Sequence, residues 1–358
     1  LWDKGSTERI FPASMTKMLT LIVALENIKD VDQTVLITED TLKGLKEERA
    51  SRAGFDVGDE PRIIDLLYGI MLPSGADCTN AIAYYVSGSL EGYVELMNKK
   101  AKELGMDDTN FVNVTGLHNV DHYSTLKDIS KLLEYCLKND VFVKIYETDE
   151  FTSIPVLSNK DGLKMVSTVK KYINKPSPTN KYNVNINGFL GGKSGYTNPA
   201  RYCLASTTQY NGGTYVLITA HSWIERVIPS NILDAGTIYN YYLDHYEKKT
   251  IYKKDELIKE VKFKYNFFDK SIDFKASEDI TKVVPNDNNL HVEVNLPDEI
   301  LETVNKGDKL GTLKVYSFDN LLYEEELIAE KTIKKSIVAY VLINIYLRVA
   351  TCHYNTNN

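Results

Sequence analysis

The sequence is poor in cysteine, with four among 358 residues. Cys78, Cys136, Cys203 and Cys352 show neither CxxC spacing nor a regular framework. Zinc sites and disulfide scaffolds both need such spacing, so the pattern argues against either. Positive charge is also in deficit: the formal net charge is -7, and no long basic block or basic-aromatic stripe occurs. This composition argues against nucleic acid as a partner.

Long hydrophobic runs are missing as well. The apolar segment 337–350 is interrupted by Asn344 and Arg348, and it is shorter than the roughly 20 residues that span a bilayer. An interfacial anchor, a final strand and a disordered end all fit it. No secretory signal opens the chain, and Leu1 to Gly5 predict a strand end followed by a turn. We expect that an export signal or a longer structured stretch is missing from the start.

What is present is typical of a folded protein with two domains. Hydrophobic residues make up 43% and charged residues 25% of the chain. Apolar residues at helical spacing predict helices over 15–28, 62–72, 77–86, 93–104, 128–137 and 232–245. Two β-rich segments, 193–206 and 215–221, flank the turn residues 211–213. The order predicts an α+β domain in which helices pack on one antiparallel sheet.

From about Lys248 the pattern changes to short alternating segments, over 261–267, 290–296 and 309–318. Turn residues at 285–287 and 306–308 separate them, which predicts a small all-β domain. We therefore divide the chain into an α+β domain over 1–247, a β-rich domain over 248–336 and an apolar tail over 337–358.

The first candidate for chemistry is a serine three residues before a lysine, Ser14 and Lys17. Residues three apart share one face of a helix, so the lysine amine can take the serine proton. The same spacing occurs at Ser124/Lys127 and at Ser167/Lys170. Spacing alone cannot choose among the three pairs.

Two further motifs select the first pair. Pro73-Ser74-Gly75-Ala76-Asp77 lies between two predicted helices, and Lys193-Ser194-Gly195 opens a strand after a glycine pair. Ser-x-x-Lys, a Ser-x-Asn-like element and Lys-Thr-Gly are the motif set of penicillin-binding proteins and class A β-lactamases. Only the Ser14/Lys17 pair precedes the other two motifs in that order.

The chemistry of the groups gives each a role. A helix N-terminus stabilises negative charge that develops at Ser14. Lys17 must be neutral to act as a base, and burial and the charge of Lys193 would both lower its pKa. Ser74 can pass a proton to the leaving amine, while Lys193 and Ser194 can bind a terminal carboxylate.

The strand that carries the third motif can also hold the substrate backbone. Gly195 leaves the strand edge open, so an extended peptide can dock beside it by backbone hydrogen bonds. The oxyanion hole needs two backbone N–H groups, which we assign to Ser14 and Tyr196.

The chain resembles the serine-type D-alanyl-D-alanine carboxypeptidases, the low-molecular-weight penicillin-binding proteins, over nearly its whole length. Besides the three motifs, the segments 94–98, 104–106, 115–118 and 122–125 look like the family's stretch between its second and third motifs. The resemblance implies a β-lactamase/transpeptidase-like catalytic domain followed by a small β domain. It also implies that the terminal D-alanine is removed from peptidoglycan stem peptides through a Ser14 acyl-enzyme, outside the cytoplasmic membrane, and that β-lactams acylate the enzyme.

Two positions differ from the family's usual pattern. Ala76 stands where the second motif usually has Asn, so an amide that would hold the acyl chain is absent. We consider Asp77 or Asn80 as its replacement, or a different substrate preference. Ser194 stands in place of the commoner Thr and keeps the hydroxyl. The strand or two that precede the nucleophile helix in the family are reduced to Leu1 and Trp2.

Other functions remain alternatives. A β-lactamase of the same fold has the same motifs, but the sequence offers no persuasive general-base Glu loop and carries an extra β domain. A catalytically impaired wall-binding or scaffold protein would fit Ala76. A zinc carboxypeptidase is disfavoured, because His118 and His122 lie across a turn with no third ligand nearby. No cofactor or metal is expected.

Overall fold

The computed structural model describes residues 2–175, 184–223, 228–287 and 289–355. The chain divides between Leu243 and Asp244 into two compact units. The predicted boundary after residue 247 lies a few residues farther along the chain, in the strand Tyr246–Tyr252. Each unit has its own hydrophobic core.

The first unit is rich in helices. A short 3-10 helix, Ala13–Thr16, leads directly into α1. The helices are α1 Lys17–Asn27, α2 Glu39–Leu42, α3 Ile63–Met71, α4 Ala76–Ser87, α5 Leu90–Glu103, α6 Leu126–Cys136, α7 Asp140–Tyr146 and α8 Ser230–His245. The predicted helices are all present, whereas α2 and α7 escaped the sequence analysis. Side chains of Ser89, Thr125 and Asn139 accept backbone N–H groups and fix the starts of α5, α6 and α7.

Strands in this unit form a hairpin and a three-stranded sheet. They are β1 Glu150–Thr152, β2 Lys164–Val166, β3 Phe189–Thr197, β4 Arg201–Tyr210 and β5 Gly213–Ser222. β3, β4 and β5 pair antiparallel in that order. The segment 193–206 was predicted as one β-rich stretch, but it spans two strands, because Asn198 to Ala200 turn the chain. The predicted turn after Tyr210 is present, with Asn211 and Gly212 both at positive φ.

The second unit is mostly antiparallel β structure. Its elements are β6 Tyr246–Tyr252, β7 Leu257–Phe263, β8 Ser271–Lys275, β9 Ile280–Pro285, β10 Leu290–Asn295, β11 Glu299–Ile300, β12 Lys309–Ser317, β13 Asn320–Ile328 and the helix α9 Ile337–Asn355. They pair as β6 with β9, as β11-β7-β8 and as β10-β12-β13. The strand predicted over 261–267 ends at Phe263, and the residues after it form a turn.

Neither chain end carries a strand among the described residues. The tail is helical, so a final strand is wrong for it. Within the part of the chain that the structure describes, no helix combines the length and apolar character needed to cross a bilayer. Trp2 lies outside any strand, while Leu1, and the side chains of Arg348 and Cys352, lie outside the described residues.

Candidate active site

Ser14 lies on a tight turn that is pressed against two glycine-containing segments. Ala13, just before it, has φ of 47°, a conformation that costs energy for a residue with a Cβ. An ideal Cβ on Gly195 would lie 2.7 Å from the Ser14 backbone nitrogen, and one on Gly116 would lie 1.9 Å from the Ala13 carbonyl oxygen. The absence of side chains at these glycines therefore lets β3 and the 115–118 loop approach the Ser14 backbone.

Lys17, in the first turn of α1, is buried beside Ser14. Its Nζ lies 3.2 Å from Ser14 Oγ and 2.5 Å from the backbone oxygen of Thr115. Burial lowers the pKa of Lys17 to about 7, although the negative charge of Asp77 acts in the opposite direction. Near neutral pH the amine therefore exists partly in the uncharged form that can accept a proton.

Lys193 is fully buried on β3 and points to Ser74. Its Nζ donates to Ser74 Oγ at 2.9 Å and to the Ser194 carbonyl at 2.8 Å. Burial, followed by the positive charge of Lys17, lowers the pKa of Lys193 well below its usual value. Burial is the main cause of the low pKa of both lysines, and repulsion between them lowers the pKa of Lys193 further. For Lys17 the expected effect of burial is therefore present.

Ser74 sits at a strained point between α3 and α4. Its φ is 64°, in the left-handed region that residues other than glycine seldom adopt. The hydrogen bond between Ser74 and Lys193 joins the second motif to the third. The first motif lies against β3 at Gly195.

The remaining third-motif residues line the same strand. Ser194 Oγ lies 3.1 Å from Thr168 Oγ1, so its hydroxyl has a polar neighbour that sequence analysis did not identify. Tyr196 is half exposed, and its hydroxyl donates to Asn198 Oδ1 at 3.2 Å. Its ring packs against Tyr202, directly across the β3–β4 pair.

Asp77 does not lie open to a substrate. Its fully buried carboxylate accepts backbone N–H groups at 2.8–3.2 Å, from Ala53, Gly54, Phe55 and Cys78. With four donors already present, we reassign Asp77 from substrate binding to support of the loop before α3. Asn80, the other proposed substitute for the missing amide, donates to the Thr41 carbonyl at 3.0 Å.

His122 supports the nucleophile turn through a hydrogen bond to Thr16. Val112 N–H donates to its Nδ1, so Nε2 carries the proton and donates to Thr16 Oγ1 at 2.8 Å. Burial and the charge of Lys17 lower the pKa of His122 to about 4, which keeps it neutral. With both ring nitrogens engaged, His122 is not available as a metal ligand, and the described residues hold no group of three or more potential metal ligands.

The other two Ser/Lys pairs have different partners. Ser167 Oγ accepts the Lys170 N–H at 3.2 Å, while Lys170 Nζ donates to the Glu147 carbonyl and pairs with Asp149. Ser124 Oγ bonds to Thr109 Oγ1 at 2.8 Å. Among the three pairs, an amine-to-hydroxyl hydrogen bond within the pair is present at Ser14/Lys17.

Comparison with known families agrees with this geometry. Residues 1–221 match the Peptidase S11 family of D-alanyl-D-alanine carboxypeptidases. The chain belongs to this family. Residues 246–335 match the C-terminal domain of penicillin-binding protein 5. The resemblance drawn from the three motifs is confirmed, as is the transpeptidase-like α+β domain followed by a β domain.

Individual relatives extend the match over most of the chain. The D-alanyl-D-alanine carboxypeptidase DacF of Bacillus subtilis is 29% identical over 94% of this chain and 83% of its own length. The D-alanyl-D-alanine carboxypeptidase of Streptomyces sp. K15 is 30% identical over 67% of this chain and 81% of its own length. The crystal structure of DacD from Francisella tularensis shares the fold, with a TM-score of 0.74 at 20% identity over 94% of this chain and 91% of that one.

Family membership assigns the enzymatic class. The chain is a serine-type D-Ala-D-Ala carboxypeptidase. Membership of a penicillin-binding family implies a peptide substrate that ends in D-Ala-D-Ala, as well as β-lactam binding. Proteins of the family are typically extracytoplasmic.

Proposed function

We propose that this enzyme removes the terminal D-alanine from peptidoglycan stem peptides through an acyl-enzyme on Ser14, on the cell-wall side of the bacterial cytoplasmic membrane. The observation that carries the proposal is the Lys17 amine, buried with a pKa of about 7 and 3.2 Å from Ser14 Oγ. A neutral amine at hydrogen-bond distance is what a serine needs to become a nucleophile.

In the acylation step, Ser14 Oγ attacks the carbonyl carbon of the penultimate D-alanine while Lys17 accepts its proton. The backbone N–H groups of Ser14 and Tyr196 stabilise the oxyanion. The C–N bond then breaks, and the leaving amine receives a proton from Lys17 through Ser74. Water subsequently cleaves the Ser14 ester, which releases the shortened peptide and restores the serine.

Substrate orientation follows from β3. Lys193 and Ser194 receive the terminal carboxylate, and the acyl chain runs along the strand edge beside Gly195 and Tyr196. The Lys193–Ser74 hydrogen bond supports this arrangement, because it places the carboxylate-binding amine next to the proton relay. At Ala76 no side-chain amide holds the acyl chain, so backbone contacts with β3 carry more of the recognition.

The tail is the proposed means of peripheral membrane attachment. Helix α9 carries exposed apolar residues over its first turns, which suits a helix lying in the interface.

A labelled penicillin tests the catalytic proposal. The unmodified enzyme should form a covalent adduct and release D-alanine from a peptide ending in D-Ala-D-Ala, whereas Ser14→Ala should do neither. Ser167→Ala is the matched control, since Ser167 also precedes a lysine by three residues. Labelling of a folded Ser14→Ala variant would overturn the assignment. Peptide binding by the unmodified enzyme without D-alanine release would favour a wall-binding scaffold, and fast penicillin turnover would favour a β-lactamase.

A further inference from the structure

An exposed aromatic turn projects from the second unit between β7 and β8. Phe268 is 95% exposed and Phe267 is 47% exposed. The turn is held by its own side chain, because Asn266 Oδ1 accepts the backbone N–H groups of Phe268 at 2.8 Å and Asp269 at 3.0 Å. The exposure of these rings is therefore built into an ordered turn and carries a cost in water.

The same turn is bound to the start of α9. Asn266 Nδ2 donates to the Lys334 carbonyl at 3.1 Å, and Ser336 N–H donates to the Tyr265 carbonyl at 2.8 Å. The rings of Tyr265 and Tyr340 meet at 4.9 Å, with the Lys335 amine over both. The aromatic turn and the first turns of α9 thus form one connected structure.

That part of α9 is apolar and mostly uncovered. At least two fifths of each side chain is exposed at Ile337, Val338, Tyr340, Val341, Leu342, Ile345 and Tyr346. We call these residues, together with Phe267 and Phe268, the turn–helix patch. Exposed apolar side chains grouped on connected elements in this way mark an interaction site.

The surroundings of the turn–helix patch are rich in lysine, although the whole chain is acidic. Lys264, Lys331 and Lys335 pair with Glu299, Asp269 and Glu302. For Lys262, Lys270 and Lys334, the described residues supply no ion-pair partner within 4.0 Å. An apolar patch with lysines in the adjoining segments is complementary to an anionic lipid surface.

We propose that the Phe267–Phe268 turn inserts into the interface of an anionic bilayer beside α9, so that the second unit contacts the membrane at two elements. This goes beyond the tail attachment proposed above and rests on it, because the turn is held at the start of that helix. Two linked contacts fix the orientation of the second unit on the membrane. Attachment through α9 alone would leave this unit free to rotate.

The test is co-sedimentation of the full chain with vesicles of phosphatidylcholine and phosphatidylglycerol, compared with phosphatidylcholine alone. Replacing both rings, Phe267→Ser with Phe268→Ser, should weaken partitioning onto the anionic vesicles by about tenfold. Phe318→Ser is the matched control. Phe318 is 57% exposed at the β12–β13 turn, about 25 Å along β13 from the strand end that leads to α9, and its loss should leave partitioning unchanged.

A tail variant separates the two proposals. Val338→Asp with Leu342→Asp should also weaken partitioning, because it places charge on the apolar surface of α9. If the tail variant loses binding while the double serine variant binds like the unmodified chain, the tail attachment stands and the turn proposal is overturned. Equal losses from Phe318→Ser would overturn it too. Circular dichroism and thermal unfolding of each variant confirm that the second unit is folded, while penicillin labelling, measured in parallel, tests the catalytic proposal in the first unit independently.

Fluorescence provides a second measurement. The tryptophan emission added by Phe268→Trp should shift to shorter wavelength when anionic vesicles are present. The emission added by Phe318→Trp should not shift. A self-association that depends on Phe268, without any vesicle binding, would identify a second copy of the chain as the occupant and overturn the lipid assignment.

Discussion

Two lysines are buried within one site, and neither has a carboxylate within 4.0 Å among the described residues. An unpaired ammonium is expensive to bury, so both amines are driven towards their neutral forms. For Lys17 this is the protonation state that a general base requires. The cost of burying Lys17 is therefore linked directly to its proposed function.

The pH dependence of acylation should report Lys17. With a pKa of about 7, the neutral fraction, and hence the rate of penicillin labelling, should rise about tenfold between pH 6 and pH 8. Stopped-flow or quenched labelling at several pH values measures it, with circular dichroism as the control for folding. A rate that is flat over this range would show that Lys17 is not the titrating base. Lys17→Arg, which stays charged, should label negligibly at either pH.

Substitution of Asp77 should lower the free energy of unfolding rather than the affinity for the peptide. Asp77→Ala leaves backbone N–H groups of the 53–55 loop without their acceptor, so we expect a loss of about 3 kcal/mol or more in the free energy of unfolding. Asp77→Asn keeps one acceptor oxygen and should lose less. Denaturant unfolding measures both variants. A raised KM for the peptide with unchanged stability would instead return Asp77 to the substrate-binding residues.

At the scale of elements, the site depends on how closely β3 lies to the nucleophile turn. A Cβ on Gly195 would lie 2.9 Å from Ala13 Cβ as well as 2.7 Å from the Ser14 nitrogen, and these are not flexible side-chain ends. No flexible side chain can move aside to accept an added Cβ, so a substitution at Gly195 must displace β3 or the nucleophile turn.

Gly195→Ala should consequently lower the acylation rate by about 100-fold, since displacements of about 1 Å at a reacting centre have effects of this size. Far-UV circular dichroism should stay native. Gly212→Asn is the control, because Gly212 lies in the β4–β5 turn with nothing within 4 Å of an added Cβ and Asn tolerates positive φ. Normal labelling by Gly195→Ala would show that this close approach is not needed.

The length and regularity of the elements determine which of them could be predicted from the sequence. Long helices such as α1 and α5 were predictable because their apolar spacing is regular, and the three motifs were predictable because side chains carry their chemistry. The Asn198-Pro199 turn signal inside 193–206 was overlooked, and α2 and α7 are too short for a periodic pattern. The Thr115 carbonyl is a backbone group, so no residue type could have indicated its contact with Lys17.

At the scale of the whole molecule, the two cores should respond separately to heat. All residues of the three motifs lie before Leu243, in the first unit. Calorimetry should therefore resolve two transitions, and penicillin acylation should raise only the one that belongs to the first unit, by about 2–4 °C for each kcal/mol of added stability. A single transition that shifts as a whole would show that the units unfold together.

The carbonyl of Thr115 has a consequence for the tetrahedral geometry of the Lys17 nitrogen. A carbonyl oxygen can only accept, so this contact always occupies one N–H of the amine, whether the group is charged or neutral. When the amine gives up a proton, the lone pair must therefore take one of the two remaining positions, because Cε fills the fourth, and Ser14 Oγ lies at hydrogen-bond distance. The Thr115 carbonyl thus restricts rotation of the Lys17 amine and keeps its lone pair directed towards Ser14 Oγ.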